Sequence, residues 1–117
     1  MSLLIQWLHP ERNNIPRFAV IFSLERSNDL QGYEAMDRAT LERVAQLPGY
    51  LGYESVYAGN RGIFISYWES KEAIEAWRTD PLHKQAKSHG SQWYAAYVSA
   101  ITEIHAWHAM PENQTFP

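Results

Sequence analysis

Apolar side chains along the chain follow four strand patterns and several helical ones. Residues 17–25 are rich in β-branched and aromatic side chains, and apolar residues stand at both odd and even positions, which predicts a strand that is apolar on both faces. Residues 51–58 and 63–69 predict two more strands, joined by a Gly-Asn-Arg-Gly sequence that favours a hairpin turn. A final long strand is predicted from residue 93 or 94 to residue 106.

Helices are predicted between the first and second strands and between the third and fourth strands. Apolar residues recur every three or four positions from 30 to 46, and Pro48 with Gly49 ends that helix. Ser70 is a good N-cap for a short helix that would bury Ile74 and Trp77. Asp80 and Pro81 favour the start of a further helix, which we expect to end near Gly90.

The predicted order is strand, helix, strand, strand, helix, strand, which is the ferredoxin-like α+β arrangement with an antiparallel sheet. Helices on one side leave the other sheet face uncovered, yet the strands are apolar on both faces. We therefore expect a homodimer in which two sheets pack face to face.

Three segments divide the chain on this interpretation. The ferredoxin-fold domain spans residues 17–109. An apolar N-terminal arm at residues 1–16 would fold over the partner subunit or the mouth of a pocket. The polar, proline-flanked tail at residues 110–117 is expected to fray.

Composition narrows the class of protein. The chain has 117 residues, 45% of them apolar and 14% aromatic, which suits one domain with a packed core. A formal charge of -3 and the lack of a basic block argue against nucleic acid as a partner. With no cysteine there is no disulfide and no thiolate chemistry. No apolar run approaches the roughly 20 residues of a membrane helix, so a cytoplasmic protein without a membrane partner is expected.

Several short motifs carry a family resemblance over about residues 17–105. They are PGYLGYES at 48–55, ISYWES at 65–70, AWR at 76–78, PLH at 81–83 and QWY at 92–94. With them the chain resembles the antibiotic biosynthesis monooxygenase domain family, of the dimeric α+β barrel superfamily. The resemblance implies a pocket between the sheet and the helices of each subunit, and oxidation of aromatic compounds.

The resemblance also implies a reaction. In the cofactor-free members of the family an electron-rich phenolate reacts with dioxygen itself, and the protein binds, orients and helps to deprotonate it. No glycine-rich phosphate loop and no flavin or nicotinamide motif is recognisable in this chain. We therefore predict a monooxygenase that oxidises a small aromatic or quinol-like compound with dioxygen and with no tightly bound organic cofactor.

His83 is the polar residue that best fits a catalytic role. A neutral imidazole with a pKa near 6.5 can accept a phenol proton at pH 7, and a position at the start of a helix disfavours its charged form. The alternative is a histidine that only packs between helix and sheet. Around it we predict a substrate pocket shaped by aromatic side chains, which would otherwise fill the core or the dimer interface: Trp68, Trp77, Trp93 and Tyr97.

Two other functions stay open at the level of sequence. The first is a haem-degrading monooxygenase, but the histidine that this branch carries ten residues after Trp77 is Lys87 here, and residues 17–25 contain no asparagine. His83 or His89 would have to bind the iron instead. The second is a dimeric module that binds a small molecule without catalysis. A metal site at His105 and His108 is not expected, because their spacing of three does not suit ligands on a strand.

Overall fold

The computed structural model describes residues 4–110 and shows one antiparallel sheet with helices on one side. Its five strands lie in the order β1-β3-β4-β2-β5. In chain order the elements are β1 (Gln6–Trp7), β2 (Phe18–Arg26), α1 (Tyr33–Val44), β3 (Tyr50–Ala58), β4 (Arg61–Trp68), α2 (Lys71–Arg78), α3 (Pro81–Lys87), α4 (Gly90–Trp93) and β5 (Tyr94–Glu103). Without β1, this strand order is that of the predicted ferredoxin-like α+β fold, which is confirmed.

The helix starts follow the chemistry of the sequence. The Ser70 hydroxyl accepts a hydrogen bond from the amide of Ala73 at the start of α2, and the Asp80 carboxylate accepts one from Leu82 at the start of α3. Asp80 also binds the guanidinium of Arg43 at 2.9 Å, which ties α3 to α1. Both caps were predicted from the sequence.

The sheet has two distinct faces, which we call the helix face and the second face. On the helix face, α1 and α2 pack over strand residues that include Tyr50 and Trp68. On the second face, Ala19 and Tyr67 pack against Ile5 and Trp7 of the N-terminal arm. The strand register assigns every other residue to each face, so the sheet buries apolar side chains on both sides as predicted.

The N-terminal arm differs from the prediction. Gln6 and Trp7 form the strand β1, which pairs with Tyr53 and Gly52 of β3 in the same chain. The Trp7 ring packs on Tyr67 and Trp107, with centroid distances of 5.8 and 6.2 Å. The arm therefore covers part of the second face of its own sheet, on the side away from the helices.

Three boundaries in the second half of the chain were also wrong in the prediction. The strand β4 begins at Arg61, so Arg61 and Gly62 belong to the strand and not to the turn. The helix that starts at Asp80 ends at Lys87, and Gly90 begins the separate short helix α4 instead of ending α3. The last strand stops at Glu103, short of residue 106. The tail predicted to fray lies, apart from Met110, outside the described residues. None of the helices within residues 4–110 is long and apolar enough to cross a membrane.

Candidate functional site

Five polar side chains meet on the helix face, at the end of the sheet where β2 ends and β5 begins. Helix α1 supplies Tyr33 and Asp37, which are four residues apart and so lie on one side of the helix. Three strands supply Arg26, Tyr57 and Tyr94. We call this group the tyrosine cluster.

Direct contacts hold the tyrosine cluster together. The guanidinium carbon of Arg26 lies 4.6 Å from the ring centroid of Tyr57 and 6.0 Å from that of Tyr33. The rings of Tyr33 and Tyr94 are 6.0 Å apart and nearly perpendicular. The phenol of Tyr33 also lies near those of Tyr57 and Tyr94, close enough for these groups to affect one another's pKa values.

The backbone of the hairpin turn fixes Arg26 in place. Its amide donates a hydrogen bond to the carbonyl of Asn60 at 2.7 Å, and its Nη2 donates to the carbonyl of Gly59 at 3.0 Å. The buried Nε has no hydrogen-bond acceptor among residues 4–110. A buried donor left without an acceptor costs about 1–3 kcal/mol, so an acceptor brought by a ligand or by water would stabilise the cluster.

Burial sets the protonation of the cluster. It raises the pKa of Tyr33 to about 12 and also raises the pKa values of Tyr57 and Tyr94. Asp37 keeps much of its surface in water, yet the protein atoms packed around its carboxyl raise its pKa, and the charge of Arg26 opposes this rise. At neutral pH the site therefore combines three phenol O–H groups with a carboxylate and a guanidinium.

Two of the predicted pocket residues border the cluster. The Trp93 ring packs edge-on against Tyr33 at 5.5 Å, and its indole nitrogen donates to the carbonyl of Gln31 at 2.9 Å. Tyr97 lies 5.8 Å from Tyr94 and is 58% exposed. Phe22 contacts both Tyr94 and Tyr97 at 5.3 Å and gives this end of the sheet an aromatic floor.

Trp77 and His83 form a separate stacked pair. Their rings are 4.3 Å apart and almost parallel, and Nδ1 of His83 lies 3.1 Å from the carbonyl oxygen of Trp77. A carbonyl oxygen only accepts hydrogen bonds, so Nδ1 carries the proton and Nε2 carries the lone pair. Burial lowers the pKa of His83, which leaves the ring neutral at pH 7.

Trp68 is placed in the core under α2. It is 1% exposed, its ring contacts Tyr50 at 5.3 Å, and its indole nitrogen donates to the hydroxyl of Ser66 at 2.8 Å. The sequence left open which of Tyr67 and Trp68 faces the helices. The structure turns Trp68 to the helix face and Tyr67 to the second face.

Toward the other end of the helix face, a shallow depression of about 260 Å³ lies between α2 and β5. Its apolar residues are Ile74 and Ile101, and its rim is Lys71, Glu72 and Glu75. Within the described part of the chain, no group of three or more His, Asp or Glu side chains is arranged to hold a metal ion.

Sequence reasoning did not find the tyrosine cluster. Its five members come from four elements that are far apart in the chain, and only the strand register brings them together. One local signal was present in the sequence, since Tyr33 and Asp37 stand four residues apart on a predicted helix.

Comparison with known proteins decides the family. The family described as antibiotic biosynthesis monooxygenase matches residues 30–88. The chain belongs to this monooxygenase family. It is also 39% identical to the uncharacterised protein YqjZ of Bacillus subtilis over 100 residues, which are 84% of this chain and 88% of YqjZ.

Solved structures show the fold of this monooxygenase family. SnoaB, a cofactor-independent oxygenase from Streptomyces nogalater, aligns with a TM-score of 0.69 at 12% identity, over 84% of this chain and all of SnoaB. A conserved protein from Methanosarcina mazei aligns with a TM-score of 0.67 at 10% identity, over 75% of this chain and 92% of that protein. At sequence identities of 12% and 10%, these similarities establish a shared fold.

Proposed function

We propose that the chain is a dioxygen-dependent monooxygenase that oxidises a small phenol or quinol-like compound with no tightly bound organic cofactor. The reaction is assigned to the helix face at the tyrosine cluster, where Trp93 and Tyr97 would flank the substrate. The observation that carries the proposal is the buried Nε of Arg26, a donor without an acceptor among the described residues, beside three protonated phenols. Such a set of donors suits the oxygen of an aromatic ligand as it becomes an anion.

The chemistry needs little from the protein. A phenolate is rich in electrons and can pass them to dioxygen. When a phenol with a free ring position becomes a quinone, one oxygen atom replaces the hydrogen on carbon and the other leaves as water. The substrate supplies all four electrons that reduce dioxygen, so no external reductant enters. The task of the protein is to bind the phenol, remove its proton and stabilise the anion.

Two groups can accept the phenol proton. His83 is the base predicted from the sequence, and its neutral ring with a lone pair on Nε2 suits that role for a substrate that extends from the tyrosine cluster to the Trp77–His83 pair. Asp37 is the alternative, since its carboxylate lies within the tyrosine cluster and its pKa is raised. Replacement of His83 with Ala and of Asp37 with Asn separates the two, because only the variant that loses the base should lose turnover.

Oxygen uptake with a panel of phenols and quinols tests the proposal. We expect uptake above the protein-free rate for at least one compound, and a loss of about tenfold or more when Tyr33 or Tyr94 is replaced by Phe. Tyr53→Phe is the matched control, because Tyr53 lies on the same face but stacks on Phe64. If no compound is consumed, or if Tyr33→Phe changes nothing, the proposal is wrong. Binding without uptake would make the chain a binding module.

A homodimer formed through the second face is part of the same proposal. Val56, Ile63 and Val98 lie in one row across that face, with Ser23 between Ile63 and Val98, and they are 71%, 48% and 67% exposed. An exposed apolar row of this kind is typical of a surface that a second copy covers. The lack of cysteine suits a reducing compartment, so the cytoplasm is the proposed location.

A further inference from the structure

Tyr57 contributes to the tyrosine cluster from a distant strand. It belongs to β3, whereas Arg26 is at the end of β2, and β4 lies between these two strands in the sheet. The Tyr57 ring nevertheless reaches the guanidinium of Arg26, whose carbon lies 4.6 Å from the ring centroid. The ring must therefore cross β4 on the helix face.

Gly62 occupies the place where the ring crosses. It is the residue of β4 directly opposite Tyr57, and it is buried. A methyl group at position 62 would lie 2.5 Å from Cδ2 of Tyr57 and 3.1 Å from Cζ, closer than carbon atoms approach one another. Gly62 is also absent from the glycines with positive φ, so its backbone conformation is open to alanine. Glycine is therefore needed at position 62 because it leaves space for the Tyr57 ring, and not because of its backbone conformation.

We propose that Gly62 is a positioning residue of the site. Because it has no side chain, the Tyr57 ring can lie across β4 and hold its phenol against Tyr33 and Arg26. Tyr57 is already 39% exposed, and a larger residue at position 62 would turn its ring further out toward water and open the tyrosine cluster. The effect of Gly62 on turnover rests on the proposed function, whereas its effect on the position of the Tyr57 ring does not depend on any activity.

The ring position can be tested without a substrate. In protein labelled with carbon-13 at tyrosine Cζ, NMR follows each phenol through its titration, and Tyr57→Phe assigns the Tyr57 signal. Burial raises the pKa of Tyr57 in the native protein, so it should not titrate with an ordinary tyrosine near pH 10. In Gly62→Ala we expect its midpoint to fall toward about 10, a change of about tenfold or more in acidity.

Gly90→Ala is the control, because no heavy atom lies within 4 Å of a methyl group at position 90 and Gly90 has no positive φ. It should leave the Tyr57 titration unchanged. An unchanged Tyr57 titration in folded Gly62→Ala would overturn the proposal. If Gly62→Ala does not fold, the same substitution is made in Tyr57→Ala, where the ring is gone. Restored folding supports the proposal, and continued failure to fold contradicts it.

Turnover gives a second test, on any phenol that the native protein oxidises. Gly62→Ala should lower kcat/KM about as much as Tyr57→Phe does, and adding it to Tyr57→Phe should cause little further loss. If the losses of kcat/KM in the two single variants add up in the double variant, Gly62 acts independently of the Tyr57 phenol, which would contradict the proposal. Absence of oxygen uptake by the native protein would defeat the proposed function but leave the NMR test of Gly62 intact.

Discussion

His83 shows how one contact fixes the chemistry of a side chain. Nδ1 of His83 donates a hydrogen bond to the carbonyl of Trp77, and the parallel indole ring shields the imidazole from water. The sequence predicted a neutral histidine from the helix start alone. In the structure, burial is the larger cause of its lowered pKa, and the charges of Lys87 and Arg78 act in the same direction.

We predict that His83 titrates below the ordinary value of about 6.5. NMR of its ring protons against pH measures the midpoint, and His83→Ala assigns the signals. The folded pKa is depressed, so the unfolded chain binds the proton more tightly. The stability contributed by neutral His83 is thus present above about pH 6.5 and is lost as the pH falls through the folded pKa. A midpoint at or above 6.5 would contradict the burial of the ring.

At the scale of elements, the N-terminal arm depends on one glycine of β3. Gly52 has a φ of +157°, and a methyl group there would lie 2.6 Å from the carbonyl oxygen of Gln6 and 2.9 Å from Cα of Trp7. The close approach of β1 to β3 therefore requires a residue without a side chain at position 52. Ile5 and Trp7, on either side of this contact, are buried against Ala19 and Tyr67.

Gly52→Ala should detach β1 and destabilise the fold by about 1–3 kcal/mol, through strain at position 52 and exposure of the arm. Thermal unfolding measures the loss. The fluorescence of Trp7, identified with Trp7→Phe, should move to longer wavelength as the indole meets water. Gly90→Ala serves again as the neutral control. An unchanged melting temperature and unchanged Trp7 fluorescence would show that the arm does not need the glycine.

Local signals explain which elements could be predicted. The hairpin turn and the caps at Ser70 and Asp80 are determined by neighbouring residues, and all of them are present in the structure. The arm strand β1 was missed because two residues carry no periodicity, and it exists only through its pairing with β3. The break between α3 and α4 was missed because the helical spacing of apolar residues runs through it to Trp93.

The candidate site depends on contacts that spacing does not encode. The sequence predicted aromatic walls, and Trp93 and Tyr97 do contact the tyrosine cluster. The polar centre was missed because Arg26, Tyr57 and Tyr94 face each other only after the strands pair in register. A shift of one residue in that register would send each of these side chains to the second face.

For the molecule as a whole, the two faces of the sheet have different tasks. The helix face holds the tyrosine cluster, and the second face is only partly covered by the arm. Tyr67 lies under that cover, and its phenol donates a hydrogen bond to the Glu54 carboxylate at 2.5 Å. Nearer the hairpin, the exposed row of Val56, Ile63 and Val98 has no cover within residues 4–110. A second copy packed on this row would leave the helix face accessible to a substrate.

Sedimentation velocity tests the homodimer directly. We predict a dimer at micromolar concentration and a monomer for Val98→Asp, with unchanged far-ultraviolet circular dichroism. Val98 is 67% exposed in the single chain, so aspartate there should not disturb the fold of one copy. In a two-fold interface each substitution appears twice, and burying two unpaired carboxylates costs several kcal/mol. Ile15→Asp is the control, since Ile15 is 58% exposed but precedes β2. If the native protein sediments as a soluble monomer at micromolar concentration, the homodimer is wrong, and the exposed apolar row needs another explanation.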